Sequence, residues 1–150
     1  MVLNTKHFGA LDVDENRIIK FEHGIPGFPD DKRFIIVTDV DVPESLYCWL
    51  QSVDDGEVSL VLIDSFYAMP NYNPLVNEGD IEELGEPNLE DILSFNVAVI
   101  KANMDESTIN LKAPIIINDK TKKGKQVIVT NDEYNIRHNL VECIKSEGKV

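Results

Sequence analysis

Catalysis needs a nucleophile, an acid–base pair or a metal held by residues of suitable type and spacing. The 150-residue chain offers few such constellations. Its three histidines, His7, His23 and His138, stand far apart, with no pair spaced to hold a metal on one element. There is no Gly-x-Gly-x-x-Gly and no Gly-x-Ser-x-Gly elbow, and Gly124-Lys125 lacks the other residues of a phosphate-binding loop. Asp12, Asp14 and Asn16 imitate the start of a calcium loop, but position six is Arg17 where Gly is needed and position twelve is His23 where Glu is needed. Cys48 and Cys143 have no Cys-x-x-Cys spacing and read as buried or inert thiols. No cofactor and no metal are expected. A carboxylate-based hydrolase stays open only because so many acids make a chance pair possible.

Charge is more informative. The chain holds 27 acids against 14 bases, a net charge of −13. That balance argues against direct binding to nucleic acid or to an anionic membrane, because phosphates demand Lys and Arg. The excess is uneven: residues 1–100 carry a net −15 and residues 101–150 a net +2. Between Arg33 and Lys101 there is no basic residue, while the 67 positions include 14 acids. They are Asp39, Asp41, Glu44, Asp54, Asp55, Glu57, Asp64, Glu78, Asp80, Glu82, Glu83, Glu86, Glu90 and Asp91. Two readings are open, solubility through self-repulsion and electrostatic steering toward a cationic protein. A generic acidic chaperone or nucleic-acid mimic belongs to the second. The same net charge argues for a monomer.

The elements that must position these residues are mostly strands. Runs rich in Val, Ile, Phe and Tyr, bounded by Gly, Pro, Asn and Asp, predict about nine. They lie near Thr5–Phe8, Arg17–Phe21, Phe34–Thr38, Leu46–Gln51, Ser59–Asp64, Asn96–Ala102, Ser107–Leu111, Pro114–Asn118 and Gln126–Thr130. Short connections with turn chemistry predict an all-β fold, a small antiparallel β-barrel-like or sandwich domain with one or two short helical turns, in which sequence neighbours pair. Residues 1–150 are read as one domain. The proline-rich segment Met69–Phe95 interrupts the pattern and is expected to pack over one end of the barrel, with helical turns at Asp80–Leu84 and Asn88–Leu93, the latter capped by Asn88. Ile136, Leu140, Val141 and Ile144 suit a closing helix within Asn131–Lys145, with an extended start through Tyr134 as the alternative. Val127 and Val129 alternate with Ile128 on a strand that could be buried on both faces. Lys120, Lys122, Lys123 and Lys125 read as a solvated hairpin tip. No apolar run approaches the roughly 18 residues of a membrane span, and no secretory signal opens the chain, so a soluble, cytoplasmic protein is expected.

Two stretches stand out as backbone punctuation. In Phe21-Glu22-His23-Gly24-Ile25-Pro26-Gly27-Phe28, two glycines can take positive φ, a proline sets a turn, and the flanking aromatics can plug an end of the barrel. In Asn110-Leu111-Lys112-Ala113-Pro114-Ile115-Ile116-Ile117-Asn118, a proline forces an edge or bulge, and the Asn side chains can satisfy the backbone groups it leaves unpaired.

With Leu50-Gln51-Ser52, the Pro70-x-Tyr72 excursion and Gln126-Val127-Ile128, these motifs follow in an order that resembles the flagellar assembly factor FliW family, from about Leu3 to Leu140. One departure is Pro29, where many relatives carry an acid, which touches only the local turn. The resemblance implies a non-enzymatic, β-barrel-like regulator that binds two cytoplasmic proteins in exchange. One is flagellin before export; the other is CsrA, the small RNA-binding repressor of flagellin message. Gly24, Pro26, Gly27, Phe28, Asn110, Pro114 and Asn118 would be its structural motif. The expected CsrA surface is Asp54, Asp55, Glu57, Asp64, Glu78, Asp80, Glu82 and Glu83. Flagellin's terminal segments, amphipathic and largely disordered before assembly, call for an apolar groove or exposed strand edge, with Tyr47, Tyr67 and Tyr72 as its aromatics and Trp49 and Phe66 as further candidates. For Trp49 and Phe66, core packing is the favoured alternative to the groove.

Overall fold

The computed structural model describes residues 1–38, 47–85 and 89–147. Asp39, Asp41, Glu44, Glu86, Leu46 at the start of one expected strand, Pro87 and the expected cap Asn88 lie outside them. The strands are β1 (Val2–Thr5), β2 (Gly9–Asp12), β3 (Ile19–Lys20), β4 (Arg33–Val37), β5 (Tyr47–Ser52), β6 (Ser59–Asp64), β7 (Ile92–Val99), β8 (Thr108–Ile109), β9 (Ile115–Asn118), β10 (Lys123–Gln126) and β11 (His138–Asn139). Three short helices accompany them, α1 (Ser65–Ala68), α2 (Glu78–Glu82) and α3 (Leu140–Glu147).

Strands β7, β6, β5, β4, β3, β10 and β9 hydrogen-bond in that order, and β9 pairs back onto β7, which closes a barrel. A ring with an odd number of strands cannot alternate direction throughout. The mismatch falls between β3 and β10, joined in parallel at Lys20 and Lys123, while the other six contacts are antiparallel. Sequence neighbours pair from β3 to β8 and again at β9 and β10, but β8 does not pair with β9, nor β10 with β11. The first half of β7, Ile92 to Phe95, pairs with Asn118 to Ile115, and its end pairs with β8.

Period-two alternation sorts side chains between two faces of the wall. Inside the barrel are Ile19, Phe21, Phe34, Leu50, Leu62, Ile115 and Ile117. Outside it, three covers bury further apolar groups. The β1–β2 hairpin lies over Ile35 and Val53; α1, α3 and the 69–76 segment cover Ile63, Ala98 and Ile109; and α2 brings Leu84 onto Ile116 and Val127. The proline-rich excursion therefore runs along the outer flank instead of closing an end.

Several expected boundaries shift. Of the expected strand Thr5–Phe8 only Thr5 is strand; Lys6–Phe8 is the turn of the first hairpin, where the Thr5 hydroxyl donates to Gly9 O and accepts from Phe8 N. Leu89–Asp91 is only a 3-10 turn, because pairing with β9 draws Ile92 into a strand. Strand β10 begins at Lys123, so half of the expected lysine tip is strand and only Lys120–Lys122 is turn. Past Gln126 the chain stays extended along its neighbour, with Val127 N donating to Pro114 O and Val129 N to Lys112 O. Val127 and Val129 are buried and Ile128 is 72% exposed, so that stretch has one buried face. The closing helix starts at Leu140, with the Asn139 side chain accepting from Glu142 N; Ile136 is exposed and Tyr134 is buried before it. Helix α1 was absent from the expected elements, although Asp64-Ser65 at a strand end is an N-cap signal.

Candidate protein-interaction surfaces

The acidic turn between β5 and β6 is built by side chains beneath it. The Ser52 hydroxyl donates to Asp31 Oδ1 at 2.6 Å and accepts from Asp54 N and Asp55 N. Gln51, fully buried, sends Nε2 to Ser52 O, Gly56 O and Val58 O. Asp54 is engaged within the protein. One carboxylate oxygen accepts from Lys32 N and Arg33 N at 2.9 and 3.1 Å, and the other meets Arg33 Nε at 2.9 Å and Nη2 at 2.8 Å. Burial opposes its ionisation, but those donors and the guanidinium charge outweigh it and hold the carboxyl below its usual range. Asp54 thus staples the turn to the start of β4. Asp55 accepts from Glu57 N and is otherwise exposed, as is Glu57.

A similar division runs through α2. Lys125 Nζ lies 2.6 Å from Asp80 and 2.8 Å from Glu83, and His23 Nε2 lies 3.3 Å from Glu83. Hydrogen bonds from Lys125 hold Glu83 below its usual range, and hydrogen bonds to Asp80 and Glu83 raise Lys125. These two acids dock the helix on β10. Glu78 and Glu82 are exposed and have no ion-pair partner among the described residues. The 21–32 loop touches both acidic groups, through Asp31 and Lys32 at one side and His23 at the other. Asp64 stands apart. It ends β6, roughly 20 Å from the turn at about 3.3 Å per residue, and its Oδ1 caps α1 by accepting from Phe66 N and Tyr67 N.

The aromatics divide differently from expectation. Tyr72 is only 4% exposed; its hydroxyl donates to Leu111 O at 2.6 Å, its ring lies 4.8 Å from that of Tyr134, and burial pushes its phenol up to about 12. It is a core residue and offers no surface for a groove. Tyr47 is half-buried and meets Trp49 edge-on. Tyr67 is 62% exposed on α1, and Phe66, expected in the core, is 55% exposed beside it, because a capped turn rather than a strand follows Asp64. Trp49 is half-buried, stacked against His7 at 5.0 Å and touched edge-on by Phe8, both on the hairpin tip. That packing joins residues distant in sequence and had no local signal.

The punctuated motifs have structural tasks. Gly27, at φ +92°, follows Pro26 in a turn closed by Phe28 N donating to Ile25 O. Gly24, at φ +66°, lies so close to Pro29 that a Cβ would sit 2.7 Å from its carbonyl oxygen. Of the two flanking aromatics, Phe21 plugs the barrel against Phe34, whereas Phe28 is half-exposed. Asn110 Oδ1 accepts from Lys112 N and Ala113 N ahead of Pro114, and Asn118 Oδ1 accepts from Lys120 N and Thr121 N. Among the described residues, no group of three or more His, Cys, Asp or Glu is placed to hold a metal, and no helix is long and apolar enough to cross a membrane.

The family model described as FliW protein matches residues 2–140. A curated flagellar assembly factor FliW of Thermoanaerobacter pseudethanolicus is 41% identical over 148 residues, covering 97% of each chain. Its counterpart in Thermotoga neapolitana is 41% identical over 145 residues, covering 95% of this chain and 94% of the relative. A crystal structure of the flagellar assembly factor FliW superposes with a TM-score of 0.85 at 34% identity, covering 93% of this chain and 96% of the other. These relatives are named as assembly factors, not as enzymes.

Proposed function

The chain belongs to the FliW family of flagellar assembly factors, and from that premise we propose that it acts in the cytoplasm, binding flagellin and a CsrA-type RNA-binding repressor in exchange. In this reading flagellin occupies the factor until export. The freed factor then captures the repressor, and translation of flagellin message resumes.

The observation that carries the reading is the acid around one end of the barrel that no described residue neutralises. Asp55, Glu57, Glu78 and Glu82 are exposed on either side of the 21–32 loop, in a chain with no cation between residues 34 and 100. A repressor that grips RNA presents Lys and Arg, and these four carboxylates complement it. Asp54, Asp80 and Glu83 support the same surface by holding its turn and helix. Phe66 and Tyr67 are the aromatics accessible to flagellin, at the other end of β6. A separation of roughly 20 Å exceeds the screening length of about 8 Å at physiological salt, so Asp64 beside them contributes little to the field at the turn.

The test is a titration of the protein into a labelled CsrA–RNA complex at two salt concentrations, followed by flagellin. Release of RNA that weakens with salt and is reversed by flagellin supports the reading. An undisturbed complex at low salt, with the protein folded, refutes it.

A further inference from the structure

The tip of the first hairpin and the β5–β6 turn are one continuous surface. Lys6 N donates to Gly56 O at 3.0 Å, and Gly56 lies against β1 so closely that any Cβ would collide with the Asn4 carbonyl. Residues flanking this junction carry complementary chemistry. On the turn, Asp55 and Glu57 are exposed carboxylates. On the tip, His7 is exposed, with one ring face stacked on Trp49 at 5.0 Å and an interplanar angle of 28°. Beneath the turn, Gln51 is fully buried; its Nε2 makes three hydrogen bonds, but its Oε1 has no hydrogen-bond partner among the described residues. That buried carbonyl dipole adds negative potential beneath the two carboxylates.

We propose that this junction docks an arginine side chain of the basic partner, the guanidinium stacking on the outer face of His7 and pairing with Asp55 or Glu57. The assignment rests on the reading that the factor binds a cationic repressor. It adds which cation is read and by which residues. A guanidinium suits the place better than an ammonium, because it is planar, stacks on aromatic rings and donates to a carboxylate through two parallel N–H groups. Lys6 is the one cation of the tip, and its own side chain keeps a lysine partner at a distance more than a stacked, delocalised guanidinium. Trp49 is the only tryptophan in the chain, so the stack carries its own reporter.

The test uses the full chain, a purified CsrA-type repressor, and hexa-arginine and hexa-lysine peptides. On saturation with repressor the Trp49 emission shifts. Hexa-arginine reproduces the shift and hexa-lysine at equal concentration does not. His7→Ala and Glu57→Gln each weaken repressor binding by roughly fivefold, the loss expected of one stacked or paired cation at a partly exposed site. Their effects are non-additive in the double variant, because both act on one group. Both side chains are exposed, so folding is retained and is checked by thermal melting. If the repressor binds but Trp49 emission is unmoved and His7→Ala binds like the wild type, the assignment is overturned while the partner reading survives. If the wild type does not bind the repressor, both fall together.

Discussion

Replacing Asp54 separates an acid that holds the fold from one that meets a partner. In Asp54→Asn the side chain keeps its shape, but the charge facing Arg33 is gone and the amide cannot keep all three hydrogen bonds at 2.9–3.1 Å together with the Arg33 Nη2 contact at 2.8 Å. A hydrogen bond to a charged group is worth about 1.5–3 kcal/mol. The carboxylate is 28% exposed, and screening by water reduces the gain for the ion pair. One retained acceptor offsets part of the rest, which leaves an expected loss of about 2 kcal/mol. For a chain of this size that lowers Tm by roughly 4–8 °C. The pH dependence follows from the direction of the shift. The folded value lies below the unfolded value near 3.8, so Asp54 stabilises fully above that pH and its contribution disappears as pH falls through the depressed folded value. Denaturant melts of wild type and Asp54→Asn at pH 7 and near pH 2.5 supply both numbers. A difference below about 0.5 kcal/mol at pH 7, or one undiminished in acid, would refute the staple.

Three further outcomes are expected. Gly124→Ala places a Cβ 2.6 Å from Cζ of the buried Phe21 ring and should cost about 1–3 kcal/mol in a denaturant melt; an unchanged midpoint means that the ring can yield. Tyr72→Phe removes the donor to Leu111 O and should destabilise by about 1–3 kcal/mol, while in the wild type this phenol stays un-ionised in ultraviolet absorbance titration until about pH 12. Burial pushes the Cys48 thiol up to about 11, so at pH 8 Cys48 should react with a thiol reagent far more slowly than a small free thiol; matching rates would mean that the barrel wall opens readily.

The relation of these residues to the sequence is uneven. Ser59–Asp64 was legible to the residue, because apolar alternation, Gly56 in the preceding turn and the polar Asp64 at the far end all agree. So were the tasks of Gly24, Gly27, Asn110 and Asn118, since positive φ and Asx-type hydrogen bonds are local requirements. The first strand was misplaced by three residues because Lys6-His7-Phe8 reads as a strand until the Thr5 hydroxyl is seen closing the turn. Ile92 and Leu93 were read as helix, and only β9, more than twenty residues away, makes them a strand.

Composition and local pattern by themselves determined an acidic, strand-dominated chain whose turns are set by glycine, proline and asparagine. The order of its motifs was sufficient for the family resemblance. What only the tertiary structure decided was closure and exposure. The parallel contact of β3 with β10 follows from closing a ring of seven, a property of the ring that no single strand carries. Identical residue types also have opposite fates within a few positions: Asp54 is bound by Arg33 while Asp55 faces solvent, and Tyr72 is buried while Tyr67 is not. Charge and aromaticity are encoded residue by residue. Whether a carboxylate is already paired, or a ring already covered, depends on neighbours that the fold brings from elsewhere in the chain.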